Sequence, residues 1–490
     1  MKTPLIIGMS AAALIAAAPA SARVNNSSSV VQRGTDSTAA VTQDGTGATS
    51  AVSQGGHDNQ VTVSQIGGGA SSTVVQDNGV GSTDDGNVAT VSQTGDADSV
   101  IRQTNDAADA GVSQDGSVLS SIVSQSGDND VAIVDQVGDS NSSSLAQTGN
   151  SNDADIAQSS ADNSSAVLQS GGSNFASINQ SAESSQSEVA QTSGLNRAIV
   201  DQSGSDNQSA VTQQGGVFGV AANAANVEQI GRDNVSQITQ GGFGNAAGDY
   251  SDATVRGVLQ SGTDNMSIVV QNGGLQDVLV VQEGSDATSF IDQGGNVGTS
   301  HTAEVRQGGS SNDASITQRG VLSNAVIRQD GGDGTAVISQ GLIGTHRAEI
   351  TQAGAGGTVI IGQLGLDQQA FVEQTDEAEN SDSTIDQGGL TGSGQLARVT
   401  QRGDSDASTI VQRGADHIAL VTQRGTDNLS SINQSDVNNE ATVDQFGFGG
   451  ESFIIQAGFN NSATLNQGGY GNVSTINQNG TSLTATVTQN

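Results

Sequence analysis

A glutamine recurs every eleven residues along most of this chain, and the residue two places before it is Val, Ile or Leu. The stretch "QRGDSDASTIVQRGADHIALVTQRGTDNLSSINQ", Gln401 to Gln434, shows the beat. Forty such glutamines run from Gln32 to Gln489, and 31 of the 39 intervals between them are eleven residues. From Gln103 to Gln213 the phase holds for ten intervals in succession. A fixed short period marks stacked units that cannot fold singly. That constraint overrides the composition, which taken alone points to disorder: 33% hydrophobic residues, 2% aromatic and a net charge of -36 leave little apolar surface against about 1–2 kcal/mol of backbone entropy per ordered residue.

Register inside the unit identifies the secondary structure. Asn174, Ala176 and Ile178 precede Gln180; Asn207, Ser209 and Val211 precede Gln213; Asn472, Ser474 and Ile476 precede Gln478. The pattern N-x-[A/S]-x-[V/I]-x-Q repeats identities at every second position, which is a strand with one buried face. No apolar spacing of three and four, as a helix needs, recurs. Each strand is expected to run about five to seven residues, separated by Gly, Asp, Asn and Ser turn formers such as "RGTD" after Gln423. Gly403, Gly414 and Gly425 stand two places after a glutamine, where a tight reversal is expected to require positive φ.

An antiparallel meander and a parallel solenoid both use such units. Identical residues 22 apart favour the solenoid, because stacked Gln and Asn amides bond to their counterparts at a strand spacing of about 4.8 Å, whereas buried amides without partners cost about 1–3 kcal/mol each. The expected fold is all-β, a parallel two-sheet β-solenoid of cross-β type with two short strands per 22-residue coil. Its inward ladder is assigned to Asn26, Gln32, Asn174, Ile178, Gln180, Asn207, Val211, Gln213, Asn265, Gln271, Asn428, Gln434, Asn439, Gln445, Asn461, Gln467, Asn472, Gln478 and Gln489. The solenoid is expected over residues 23–490, with loop insertions near 77–92, 214–228 and 241–259 where the beat lengthens.

Residues 1–22 read as a secretory signal peptide: Lys2, then the small and apolar run "PLIIGMSAAALIAAAPASA", ending in the Ala20-Ser21-Ala22 cleavage pattern. Lys2 is the sole lysine, so the mature chain carries 14 Arg against 51 acidic residues, a charge of -37. The chain is expected to be exported, and with no cysteine its fold must be held non-covalently.

The units "QSGSDNQSAVTQ" (Gln202 to Gln213), "QTGNSNDADIAQ" (Gln147 to Gln158) and "QSDVNNEATVDQ" (Gln434 to Gln445) resemble the curlin repeats of bacterial curli subunits, whose pattern is approximately S-x5-Q-x-G-x-x-N-x-A-x3-Q. The resemblance spans about residues 25 to 489 and implies a secreted functional amyloid, an extracellular fibre of biofilm and adhesion, with self-assembly head to tail and curli-type nucleator or secretion proteins as partners. Familiar subunits carry about five repeats and this chain about 20, so one molecule could already be a rod. A monomeric cell-surface adhesin or matrix-binding rod is the alternative. The first strand, near Asn26, leaves no room for the family's leader segment, and no capping residues flank the repeats at either end. The missing caps favour open stack ends, and the missing leader sets this chain apart from the family's usual export route.

No catalytic site, cofactor or dedicated metal site is expected. His57, His301, His346 and His417 are scattered, and His301 and His417 fall six places before a glutamine, where Asn usually stands. Nucleic-acid binding is disfavoured by the charge. Arg402, Arg413 and Arg424 are expected to be balanced by nearby Asp404, Asp406 and Asp416, and the "RGD" at Arg402 to Asp404 follows from the repeat's own turn residues. Outward Asp135, Asp201, Asp292, Asp386 and Asp444 are expected to act as gatekeepers against premature stacking, and their carboxylates to bind divalent cations weakly. Thr42, Thr212 and Thr422 precede their glutamines, but Ser, Asp, Ala, Arg or Asn elsewhere break any uniform ice-binding array.

Overall fold

The computed structural model describes residues 13–16, 25–78, 86–215, 222–247, 257–295, 300–341, 344–389 and 393–490. Within them every strand pairing is parallel and joins a strand to the one about a coil later. Ser142–Asn150 lies beside Ser164–Gly172, with Leu145 opposite Val167 and Gln147 opposite Gln169. The intervening strand Asp153–Ala161 lies beside Phe175–Gln180, with Gln158 opposite Gln180. Alternate strands therefore build two parallel sheets, and the fold is a β-solenoid of about 20 turns with coils of about 22 residues. The chain divides into two compact units, Met1–Arg232 and Asp233–Asn490.

The period of two appears as burial. Along Asp153–Ala161 the residues Ala154, Ile156 and Gln158 are buried while Asp153 and Asp155 are exposed. Ile178 and Val211 are each 1% exposed. One Val, Ile or Leu per strand, worth about 1.5–3 kcal/mol when fully buried, meets its counterparts of the facing sheet. Small residues four places before most glutamines keep the sheets close, with Val61, Val278 and Val359 as exceptions. In the first unit one sheet stacks Ala132, Ala154, Ala176 and Ala198, and the other stacks Ser121, Ser143, Ser165, Ser187 and Ser209.

Several strands are longer than the pattern predicts, because residues after the glutamine also pair with the next coil: Ser142–Asn150 has 9 residues. Val88–Thr104 and Asp109–Ser126, of 17 and 18 residues, run through a corner and serve both sheets. Between them the ten-residue interval before Gln103 is absorbed as a register shift at Asp96/Ala97. Longer intervals leave pairing intact: Gln65 lies opposite Gln93, and Gln240 opposite Gln271. Residues 79–85, 216–221 and 248–256, the centres of the three expected insertions, lie outside the described residues, as does most of the expected signal segment 1–22; its part Ala13–Ala16 pairs parallel with Thr38–Thr46.

The turn chemistry corrects one expectation. Gly414 and Gly425 have φ of 123° and 145°, but Gly403 is not in the left-handed region. What these positions share is close approach: a Cβ on Gly403 would overlap the carbonyl oxygen of Gly425, one on Gly425 that of Gly447, and one on Gly414 that of Asp436. The left-handed residue common to most coils is instead the one just before the inward Asn, as at Ser151 (φ 60°), Ser173 (φ 59°), Asp206 (φ 58°) and Asn438 (φ 54°). Asp, Asn and Ser serve there because short polar side chains tolerate that conformation best after glycine.

Candidate functional site: the amide ladders

The glutamine side chain carries two N–H groups, and the stack uses both. Gln180 Nε2 donates to Gln202 Oε1 in the next coil at 2.9 Å and to the Ser164 carbonyl of the neighbouring strand at 3.1 Å. Its own Oε1 accepts from Gln158 at 2.8 Å. One amide thus braces the stack along its axis and across its two sheets. Gln213 accepts from Gln191 at 2.8 Å and donates to the Arg197 carbonyl at 2.9 Å. In the second unit Gln271 donates to Gln293 at 3.1 Å, Gln434 to Gln456 at 2.9 Å, Gln445 to Gln467 at 3.1 Å and Gln467 to Gln489 at 2.9 Å, while Gln478 accepts from Gln456 at 2.9 Å. Gln32, which donates to Gln54 at 2.7 Å, and Gln489 are only half-buried. Some inward serines join the ladder: Ser383 and Ser452 donate to Gln401 and Gln467 at 2.8 and 2.6 Å.

Asparagine does a different task, six residues earlier. Asn174 Oδ1 accepts the backbone N–H of Asn196 one coil on at 3.0 Å, while its Nδ2 donates to the Ser170 and Ser193 carbonyls at 3.2 and 2.8 Å. The side chain therefore closes its own turn and fastens it to the next. Asn461 repeats this with the Leu483 N–H and the carbonyls of Ala457 and Gly480. Asn439 does so with the N–H of Asn461 and the carbonyls of Ser435 and Gly458. Asn26 and Asn265 accept the N–H of Ala48 and Ala287 at 3.0 Å each, Asn207 donates to the Gly231 carbonyl at 3.2 Å, and Asn472 donates to the Gly468 carbonyl.

This slot also takes ionisable residues, only some of which sequence reasoning placed there. His301 and His417 occupy it fully buried, and so does His346, 2% exposed, which counting six back from Gln352 would have found. His417 Nδ1 accepts the Asn439 N–H at 3.2 Å, and Nε2 donates to the Arg413 carbonyl at 3.1 Å, which fixes a neutral ring. Burial holds all three imidazoles below their ordinary pKa, against the opposing pull of backbone carbonyls at Gly294, Gly341 and Arg413. His57 lies apart at the end of the strand Thr49–His57, against Thr35.

Asp130 and Asp406 fill the slot too, 0% and 1% exposed. Asp406 Oδ1 accepts the N–H and the Nδ2 of Asn428 at 2.9 and 3.0 Å, and its Oδ2 has no partner. Burial raises both carboxyl groups above the usual range, and the bonds from Asn152 and Asn428 oppose the rise.

Asp406 is thus a ladder member and does not balance surface arginines. Arg413 pairs with Asp386, and Arg424 with Asp444 at 2.9 Å, so charge is balanced between strands of neighbouring coils instead of within a turn. Arg319 pairs with Asp292 likewise, and Arg328 bridges Glu304 and Glu349. Sequence reasoning missed these pairs because the partners lie 20 to 27 residues apart. Among the described residues no group of three His, Cys, Asp or Glu is placed to hold a metal ion.

The description "Curlin associated repeat" belongs to a family model that matches residues 34–67, 122–149, 149–181, 437–469 and 458–490. No match was found among curated proteins. Each matched segment covers one or more of the stacked strands, and the matches fall in both units. With five matched segments and glutamine and asparagine ladders over about 20 turns, the chain is consistent with a curlin-repeat protein of many repeats.

Proposed function

We propose that this protein is a structural subunit of an extracellular, curli-like amyloid fibre that serves biofilm matrix and surface adhesion, secreted by a bacterium and without catalytic activity. The observation that carries the reading is the identity of successive coil faces. Each coil offers its neighbour the same row of Gln amides and backbone groups, with Asn, His, Asp, Ser or a small residue in the second slot, so the interior of the stack is a template for what an open coil binds, namely another coil. A second copy meeting such a face adds about a dozen backbone hydrogen bonds, each worth about 0.5–1.5 kcal/mol net, and extends the amide ladders. Self-assembly head to tail follows, with curli-type nucleator or secretion proteins as further partners.

Fibre diffraction with electron microscopy of the purified mature chain tests this. Unbranched fibres that lengthen with time and give a meridional reflection near 4.8 Å support the polymer. Particles of fixed length at high concentration would replace it with the monomeric cell-surface adhesin or matrix-binding rod. A finer test replaces Gln467 and Gln489 by Lys, which places unmatched charge in the ladder and suppresses elongation, whereas the same changes at outward Asn466 and Thr488 have little effect. Equal effects would sink the assignment of the ladder as the growth surface.

A further inference from the structure

We infer that two copies of this chain also associate side by side, through an acidic sheet face of the unit Met1–Arg232 and an arginine-bearing sheet face of the unit Asp233–Asn490. This goes beyond end-to-end growth and does not rest on it.

The acidic face is made by three consecutive strands of one sheet: the first half of Asp109–Ser126, then Val131–Asp139 and Asp153–Ala161. They point Asp109, Asp115, Asp135, Asp153 and Asp155 outward, all exposed, with no arginine at any outward position between them. None of the five makes an ion pair with a described residue. Asp155 is held above its ordinary pKa by desolvation and then by repulsion from Asp153 and Asp135, the mark of a surface whose charge is not neutralised within the chain. Ile133 and Val137, 49% and 46% exposed, stand among the carboxylates.

The opposite pattern lies on Ser300–Gln307, Leu322–Gln329, Thr345–Gln352, Gln369–Gln374 and Leu396–Gln401. Arg306, Arg328, Arg347 and Arg398 point outward from these strands and Arg402 follows the last, so five of the 14 arginines gather on one face. Glu304 and Glu349 engage the first three. Arg398 and Arg402 have no carboxylate partner among the described residues. The guanidinium groups of Arg347 and Arg398 lie 5.4 and 5.1 Å from the centre of the Phe371 ring, and this cation–π contact holds both in place at the surface. A cleft of about 210 Å³ opens beside them, lined by Thr351, Phe371, Glu373, Arg398 and Thr400 among others.

Charge complementarity selects the occupant. At a net charge of -36, most approaches of one copy to another are repulsive, and a face that gathers five arginines gives an orientation in which an unpaired acidic face is attracted. The two surfaces share a strand pitch of about 4.8 Å, so Asp135, Asp153 and Asp155 on neighbouring strands of one copy meet Arg347, Arg398 and Arg402 of the other.

The test uses two full-length variants: Arg347→Glu/Arg398→Glu/Arg402→Glu, which makes the second face acidic, and Asp135→Arg/Asp153→Arg/Asp155→Arg, which makes the first basic. Particle width in electron micrographs and scattering mass report side-by-side association whether or not particles lengthen, so failure of end-to-end growth is read separately. The wild-type chain should associate laterally at low salt and less at about 0.5 M salt, where charges are screened within a few ångströms. Each variant alone should associate about tenfold more slowly, the low end of electrostatic steering, and an equal mixture of the two should recover the wild-type rate, which also shows that both are folded. Wild-type association by either variant alone, or a mixture no better than its components, overturns the proposal. So does a triple arginine variant that keeps lateral association but loses binding of oligogalacturonate seen with the wild type, since that result gives the face to an acidic glycan.

Discussion

Asp406 and His417 occupy equivalent places in the two sheets of one unit, and their titrations act on stability in opposite senses. The Asp406 carboxyl is raised above 3.8 by burial, so the folded chain binds a proton that the unfolded chain has already lost. The stability this contributes is complete below pH 3.8 and is lost as pH rises through the raised value. Asp406→Asn, which keeps the bonds to Asn428 and removes the buried charge, should stabilise the chain at pH 7 by about 1–3 kcal/mol, with the gain fading towards pH 4; urea midpoints across that range check it. His417 is lowered from 6.5 by burial, against the carbonyl of Arg413 and the carboxylates of Asp416 and Asp436. Its contribution is present above pH 6.5 and lost as pH falls below it, because the Nδ1 that accepts the Asn439 N–H must take up a proton. His417→Asn should therefore lose less stability between pH 7 and pH 5 than the wild type, and a wild-type slope in the variant would show that the ring is not linked to folding. The spacing of His301 and His417 from their glutamines was legible in the sequence. The role of Asp406 was missed, since its turn neighbours Asp404 and Ser405 made it look like one more surface acid, although it too stands six places before a glutamine, Gln412.

At the level of the strand and its turn, the repeat was readable because one buried face imposes a period of two, while the turn hid its constraint. Glycine two places after a glutamine looks like a demand for positive φ, yet the demand comes from the coil above. At Gly149 both apply: φ is 114°, and a Cβ would overlap the Gly171 carbonyl oxygen. Gly149→Ala should cost at least about 1–3 kcal/mol and displace that turn locally. Two residues on, Ser151 is left-handed with open space for its side chain at an exposed corner, so Ser151→Gly should be neutral or stabilising by up to about 1 kcal/mol. Paired urea titrations separate the two cases, and equal losses would count against close approach as the cause. The interstrand pairs Arg413–Asp386 and Arg319–Asp292 were beyond sequence reasoning because they depend on which coil lies above which.

For the molecule as a whole, net charge sets the conditions of assembly. Asp153 and Asp155 already sit above the usual carboxylate range, through desolvation first and, for Asp155, mutual repulsion second, so they lose their charge early on acidification. Dye-reported lag times should shorten between about pH 6 and pH 4 and also with millimolar calcium, which screens and bridges carboxylates; lag times indifferent to both would remove the gatekeeper role of the outward acids. The glutamine ladder adds something that charge counting leaves out. Wherever one ladder amide bonds the next, Nε2 of the earlier residue points to Oε1 of the later one, from Gln32 to Gln54, from Gln180 to Gln202, from Gln240 to Gln271 and from Gln467 to Gln489. Backbone dipoles alternate along a strand and largely cancel, but these amide dipoles all add. Each unit therefore carries an electrically oriented column, with its ladder carbonyl oxygens facing the early residues and its ladder N–H groups facing the late ones. An arriving copy feels that field before it touches, and one presented the wrong way round is turned away by two like poles.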